Sequence, residues 1–271
     1  MTIEPYEVIA LRYASRMTTR SAVFLNYHLY DEPDTPIQMD YYVWVIRNSE
    51  RTIVVDTGYS ELGGGNRNRG HIVHPVELLQ RLGIEPSEVD TLVITHAHYD
   101  HIGNLEAFPK ARVLITKSER DFWRGPTAGK MLFHHSCEDS ELATLEEIDG
   151  SGRLHAFSGK VEVAPDVWAI EVGGHTHGQS ILTVPTIDGL VLLASDAAHY
   201  YEEIDADKPF VVVEDLDKMY RGFDLMRAVM QSENAILLPG HDPDVMHRHK
   251  PLDGPLAGHG IIIGRHMKET S

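Results

Sequence analysis

The sequence predicts one layered domain of mixed α and β structure, and three observations carry that expectation. A length of 271 residues suits one large domain, on a prior of roughly 150 residues per domain. A content of 42% hydrophobic and 24% charged residues supplies a sizeable core and argues against disorder or a fibrous repeat. Short β-rich runs fill the first part of the chain, and later apolar runs of strand length alternate with helical patterns.

Taken in order, Val8 to Tyr13, Ala22 to Leu29, Tyr41 to Ile46 and Thr52 to Val55 read as strands, the last two as a hairpin ending in Asp56-Thr57-Gly58. The glycine-rich stretch Gly63 to Gly70 reads as a mobile loop that could gate a site. His74 to Gly83 has proline in its first turn, apolar residues at helical spacing and a terminal glycine, which predicts a short helix. Thr91 to Thr95 and Ala111 to Thr116 are continuous apolar runs, expected as buried strands. Helices are expected from Ser118 and over Glu138 to Asp149. Strands follow at Val167 to Val172, Ser180 to Pro185 and Leu190 to Ala194, then a long amphipathic helix at Asp215 to Met230 and a last strand at Ala235 to Leu238. No internal repeat or linker divides the chain, so residues 1–271 are expected as a single domain.

The formal net charge of −17 disfavours a nucleic-acid or anionic-membrane partner. The single Cys137 excludes an internal disulfide and a cysteine-rich zinc site, and with no export signal or membrane span visible the expected compartment is the cytoplasm. Histidine is the abnormal number, at 17 residues, and histidine is the commonest metal ligand.

The excess is concentrated. Thr95-His96-Ala97-His98-Tyr99-Asp100-His101 sets three imidazoles and a carboxylate within six residues, directly after a buried strand, where loops collect ligands. Other histidines have simpler readings. His177 fits a pocket wall or a solvated turn equally. His134 and His135, near Phe122, Trp123 and Phe133, fit either a substrate wall or ordinary packing at a helix surface, the commoner arrangement. His247, His249, His259 and His266 are expected on the surface, and Cys137 is expected to be inert.

The His-x-His-x-Asp-His run resembles the signature of the metallo-β-lactamase superfamily. Further parts of the pattern recur downstream: Gly174-His175-Thr176, Asp196 after an apolar strand, His241 after Leu238-Pro239-Gly240, and an early Val55-Asp56-Thr57-Gly58 turn. The resemblance implies an α+β fold, a four-layer αβ/βα sandwich of two mixed sheets packed face to face with helices outside. It also implies two divalent metal ions, with His96, His98 and His175 on one, Asp100, His101 and His241 on the other, and Asp196 bridging. A nitrogen-rich, thiolate-free set suits zinc, and manganese, iron or cobalt would also be accepted. Asp56 is expected to orient a liganding imidazole.

Within the superfamily, redox members carry Glu where this chain has His98, and the best-known β-lactamases carry Cys where it has Asp196. The layout through Tyr41-Tyr42-Val43-Trp44-Val45, and Tyr99 inside the metal motif, are similar to N-acyl homoserine lactonases. That resemblance implies a lactonase, and with it quorum quenching, acting on a small ester-like substrate. Its expected chemistry is attack of a metal-bridging hydroxide on the ring carbonyl, with Asp100 passing a proton to the leaving alkoxide. One departure stands out: those lactonases place Tyr three residues after the bridging Asp to bind the substrate carbonyl, and here the position is His199, followed by Tyr200. Either residue could take that role. The alternatives are hydrolysis of another cyclic ester or amide, or a thioesterase resembling glyoxalase II, for which Arg248, Lys250 and Arg265 would supply cations.

Overall fold

The computed structural model describes residues 4–264. Its strands are β1 (Glu7–Thr19), β2 (Pro36–Arg47), β3 (Thr52–Val55), β4 (Thr91–Val93), β5 (Arg112–Thr116), β6 (Leu154–Phe157), β7 (Lys160–Ala164), β8 (Val167–Glu171), β9 (Ser180–Thr186), β10 (Gly189–Ser195), β11 (Ile236–Pro239), β12 (Lys250–Pro251) and β13 (Gly260–Ile263). The helices are α1 (Glu61–Gly65), α2 (Pro75–Arg81), α3 (Tyr99–Ile102), α4 (Lys117–Trp123), α5 (Met131–His134), α6 (Asp139–Gly150), α7 (Tyr201–Ala206), α8 (Leu216–Glu233) and α9 (Val245–Arg248).

Eight strands form one sheet in the order β12-β13-β1-β2-β3-β4-β5-β6, and five form a second in the order β11-β10-β9-β8-β7. Both are mixed: β3 to β6 run parallel beside the antiparallel β1, β2 and β13, and β11 runs parallel to β10 beside antiparallel neighbours. Period-two alternation explains the packing. On β1 and β2, Val8, Ala10, Tyr42 and Trp44 join Ile181, Leu192 and Leu238 in the core shared with the second sheet. Their neighbours Ile9, Leu11, Val43 and Val45 face the opposite way, into a core with Leu78, Ile102 and Leu145 of the helices. Because both faces are buried, these strands read as continuous apolar runs in the sequence. Helix α8 adds Met219, Phe223 and Met226 to the apolar packing of the second sheet.

Three expectations change. Ala22 to Leu29 is not a strand: the region holds two 3-10 turns, Arg20–Ala22 and Tyr27–Leu29, and between them Phe24 makes one isolated bridge to Phe210. Asn26 takes a left-handed φ of 50°, which breaks the extended run. The glycine-rich stretch is not a loose loop either. Ser60 caps α1 by accepting from the Gly63 amide, and Gly63 and Gly64 are buried in that helix. Finally, Thr116 rather than Ser118 caps α4, its hydroxyl accepting from the Glu119 amide. Strands β6, β7, β12 and β13 carry too few apolar residues, or too short a run, to stand out in sequence.

Candidate metal centre

The functional side chains hang from the carboxyl ends of strands. His96 and His98 follow β4, Asp100 and His101 lie on α3, His175 sits in the β8–β9 loop, Asp196 follows β10 and His241 follows β11. All are buried, and the structure brings them together around Asp196. Asp196 Oδ2 lies 3.2 Å from His241 Nε2, 3.6 Å from His175 Nε2 and 3.9 Å from His96 Nε2, while its Oδ1 lies 3.5 Å from His101 Nε2. Asp100 stands 3.9 Å from His101 Nε2 and 3.8 Å from His241 Nε2. His98 Nδ1 meets His175 Nε2 at 3.0 Å. Among the described residues, four groups of donors have ligand atoms within 4.8 Å of one another: His96, His98 and His175; His96, His101 and Asp196; Asp100, His101 and His241; and His175, Asp196 and His199.

The arrangement is held from behind. Asp56 accepts from His101 Nδ1 at 2.7 Å and from the Thr95 amide and hydroxyl at 2.8 and 2.7 Å, so the imidazole turns Nε2 toward Asp196. His241 Nδ1 donates to the Asp40 carbonyl at 2.7 Å, and His175 Nδ1 to the Val212 carbonyl at 2.8 Å. Asp56 and Ser195 both hold positive φ, 59° and 46°, conformations costly for residues with a side chain that mark the two tight turns feeding the site. Gly240 is required by close approach, since a Cβ there would lie 2.4 Å from Asp196 Oδ1.

Two buried carboxylates that sequence reading missed organise the loops. Glu119 accepts from the Ala97 amide and Trp123 Nε1 on one oxygen and from the Gly178 amide on the other, tying the His96–His98 turn to the His175 turn. Glu203 accepts from the amides of His199 and Tyr200. A glutamate at the third position of a helix after a threonine cap was the available signal for Glu119, yet nothing in the sequence says that it points inward.

Electrostatically the cluster is poised for a cation. Burial, then neighbouring imidazoles, depress His96 and His98 well below the usual histidine range, and His175 to about 3. Burial pushes His101 down as well, but Asp196, Asp56 and Asp100 outweigh it and hold it well above that range. Burial opposes ionisation of Asp196, yet His241, His101 and His199 keep it well below the usual carboxylate range. Of these buried atoms, His96 Nε2, His101 Nε2 and Asp196 Oδ1 have no hydrogen-bond partner among the described residues. Orphaned, converging donors of this kind fit a bound metal ion.

His199 and Tyr200 part company. His199 stacks on Phe210 with ring centroids 3.7 Å apart, and its Nε2 lies 3.2 Å from Asp196 Oδ2. Burial would lower its pKa, but the flanking Asp196 and Glu203 raise it to about 9. Tyr200 instead sends its hydroxyl to the Gln38 carbonyl at 3.1 Å and lines a separate hollow with Arg248, so the substrate-carbonyl role expected as an option for it has no geometric basis.

A cavity of about 200 Å³ opens onto the cluster and includes Arg16, Arg67, Arg69, His135 and Phe210 in its lining. An apolar groove of about 450 Å³ adjoins it along Leu132, Phe133 and Val211 to Val213. His134 is partly buried and paired with Asp139 at 2.9 Å. His177 stacks on Phe122 and pairs with Glu214, outside the cavity lining. Cys137 is buried with its thiol donating to the Ala97 carbonyl, and burial pushes its pKa well up, in keeping with an inert residue. His247 is exposed, whereas His249 and His259 are partly buried; His266 and Arg265 lie outside the described residues. No described helix is long and apolar enough to cross a membrane.

A fold of two mixed sheets with a buried His/Asp cluster at their shared edge defines a metallohydrolase architecture. The metallo-beta-lactamase superfamily model matches residues 38–250, and the chain belongs to that superfamily of hydrolases. Among curated relatives, an N-acyl homoserine lactonase from a Bacillus species is 25% identical over 225 residues, 78% of this chain and 84% of the relative. A hydroxyacylglutathione hydrolase from Aeromonas hydrophila is 29% identical over 154 residues, 55% of this chain and 45% of the relative. Among solved structures, a quorum-quenching N-acyl homoserine lactone lactonase superposes with a TM-score of 0.76 at 21% identity, covering 92% of this chain and 96% of that one. AidC, described as a dizinc quorum-quenching lactonase, gives 0.70 at 18% identity over 99% and 97%. These structures share the fold.

Proposed function

We propose that the protein opens a lactone ring as a dinuclear metal-dependent hydrolase. The observation that carries this reading is the pair of three-donor groups joined through Asp196 beneath an open cavity, in a chain whose curated relatives include N-acyl homoserine lactonases. His96, His98 and His175 would hold one divalent cation and Asp100, His101 and His241 the other, with Asp196 between them. The nitrogen-rich donor set, with no thiolate, suits zinc. When bound, the pair of cations supplies Lewis-acid activation of water and of the substrate carbonyl.

The chain's own residues do the rest. Asp100, facing both His101 and His241, carries the proton to the leaving alkoxide oxygen. His199, beside Asp196 and lining the cavity, donates a hydrogen bond to the carbonyl oxygen as it gains charge. Asp56 keeps the His101 ring in register. The apolar groove along Leu132 and Phe133 accommodates an apolar substituent.

The thioesterase reading has less support. Arg248 stacks on Tyr201 and pairs with Asp244, and neither it nor Lys250 lines the cavity. The deciding experiment is acid release by zinc-loaded protein over γ-lactones with short and long acyl amides, aromatic lactones and glutathione thioesters. Chelator-sensitive ring opening is the expected result. Turnover of thioesters alone would replace the lactonase reading with the thioesterase one.

A further inference from the structure

The lining of the metal cavity is cationic in a chain whose net charge is −17. Of its three guanidiniums, Arg67 is fully engaged: it lies 3.9 Å over the Tyr99 ring, pairs with Glu138 and donates to the carbonyls of Gly63, His135 and Cys137. Arg16 and Arg69 are different. Arg16 donates from Nε to the Tyr41 hydroxyl at 3.0 Å and rests Nη2 3.2 Å from Met39 Sδ. Arg69 lies between two rings, its Cζ 5.4 Å from the Tyr41 centroid and 5.3 Å from that of Tyr99. Among the described residues neither has a carboxylate within ion-pair distance, although Arg12 and Arg20 on the same strand and its flank are paired with Asp40 and Glu202.

Both unpaired cations flank one ring, Tyr41, and that ring packs edge-on against His241 with centroids 4.9 Å apart. Two guanidiniums therefore border the donor cluster itself. The acids on the same cavity, Asp100 and Asp196, point into the cluster, where their charge faces imidazoles rather than the arginines. Partly buried guanidiniums left without an anion are poorly compensated, and their planar donor forks match a carboxylate.

We propose that the preferred substrate is a lactone that itself carries a carboxylate, seated at Arg16 and Arg69 while the ring carbonyl meets the metal-binding cluster. The bond cleaved rests on the lactonase reading; the carboxylate seat does not. Hydrolysis adds one water, breaks the acyl C–O bond, and leaves a hydroxy-dicarboxylate with release of one proton.

The test is calorimetric binding, to zinc-loaded protein, of an inert γ-lactam bearing a ring carboxylate and of its neutral carboxamide. The carboxylate is expected to bind about tenfold more tightly, a preference that weakens with added salt and nearly vanishes in the Arg16→Gln/Arg69→Gln double variant. Arg69→Lys, which keeps the charge and loses the fork, should retain part of it. Metal content and circular dichroism verify that the variants are folded, and each single variant serves if the double one is not. Equal binding of the two lactams overturns the proposal. So does a preference that survives in the double variant, because recognition would then lie with the metals. Hydrolysis of the matching carboxylated lactone is scored separately: a lactam preference without ring opening upholds the seat and overturns the lactonase reading.

Discussion

Replacing Glu119 by Gln tests whether one carboxylate holds the two halves of the metal centre in register. Its two oxygens accept three hydrogen bonds, from the Ala97 amide at 2.9 Å, Trp123 Nε1 at 2.8 Å and the Gly178 amide at 2.9 Å. Glutamine offers one oxygen and an NH₂ group that must face a donor, so at least one buried N–H loses its partner and the others lose charge assistance. An unsatisfied buried group costs about 1–3 kcal/mol, and hydrogen bonds to charged groups contribute about 1.5–3 kcal/mol each. The expected destabilisation is therefore about 3 kcal/mol, read as a lower midpoint in urea with an unchanged slope. Because Gly178 follows His175 by three residues and Ala97 lies between His96 and His98, the same change should weaken zinc binding about 10- to 100-fold in chelator competition. Stability within about 0.5 kcal/mol of the parent, together with unchanged zinc affinity, would refute the reasoning. A stability loss with unchanged affinity would show that the two turns are fixed independently.

Three other expectations concern separate parts of the molecule. Burial holds the Glu141 carboxyl up at about 7 against an ordinary 4.5, so its contribution is complete below the ordinary value and is lost as pH rises through 7. Glu141→Gln should flatten the pH dependence of stability between these values and gain about 3 kcal/mol near pH 8; denaturation at both pH values checks it, and an unchanged slope would count against the burial argument. His101→Ala and Asp196→Ala should each lose metal and reduce turnover by more than about a hundredfold, and retention of full metal content with full turnover would dismantle the ligand assignment. Tyr200→Phe should cost about 1 kcal/mol for the lost bond to Gln38 and leave turnover near that of the parent, whereas a kinetic loss matching His199→Phe would bring Tyr200 back to the site.

What could be read in one dimension was whatever is local. The His96 to His101 run, the strand-ending positions of Asp196 and His241, and the Asp56 turn follow from neighbours in sequence, and the structure gathers them around Asp196. Long apolar strands were legible for the same reason. Arg16, Arg67 and Arg69 were not, because their meeting depends on the Tyr41 and Tyr99 rings, which come from separate elements. The three glycines at 63–65 misled because glycine signals a loop until a cap at Ser60 and close packing against Tyr59 and Tyr99 hold it in a helix. Ala22 to Leu29 misled in the opposite sense: β-prone side chains serve burial there, and Asn26 sets the backbone. Choosing between His199 and Tyr200 required the backbone path after β10, which sequence spacing leaves open.

The donors hang from both sheets, His96 to His101 after β4 of the larger and His175, Asp196 and His241 after β8, β10 and β11 of the smaller. Cations held by the proposed set would thus act as a further clasp between halves already joined by apolar packing and by polar ties such as Glu119 and the His241–Asp40 bond, closing a loop that runs from His96 to His241. A crosslink over a loop of order a hundred residues constrains the unfolded chain by about 4–5 kcal/mol. Bound cations would then oppose local opening where the two sheets meet, and amide hydrogens along β4, β10 and β11 should exchange faster in stripped protein than in loaded protein.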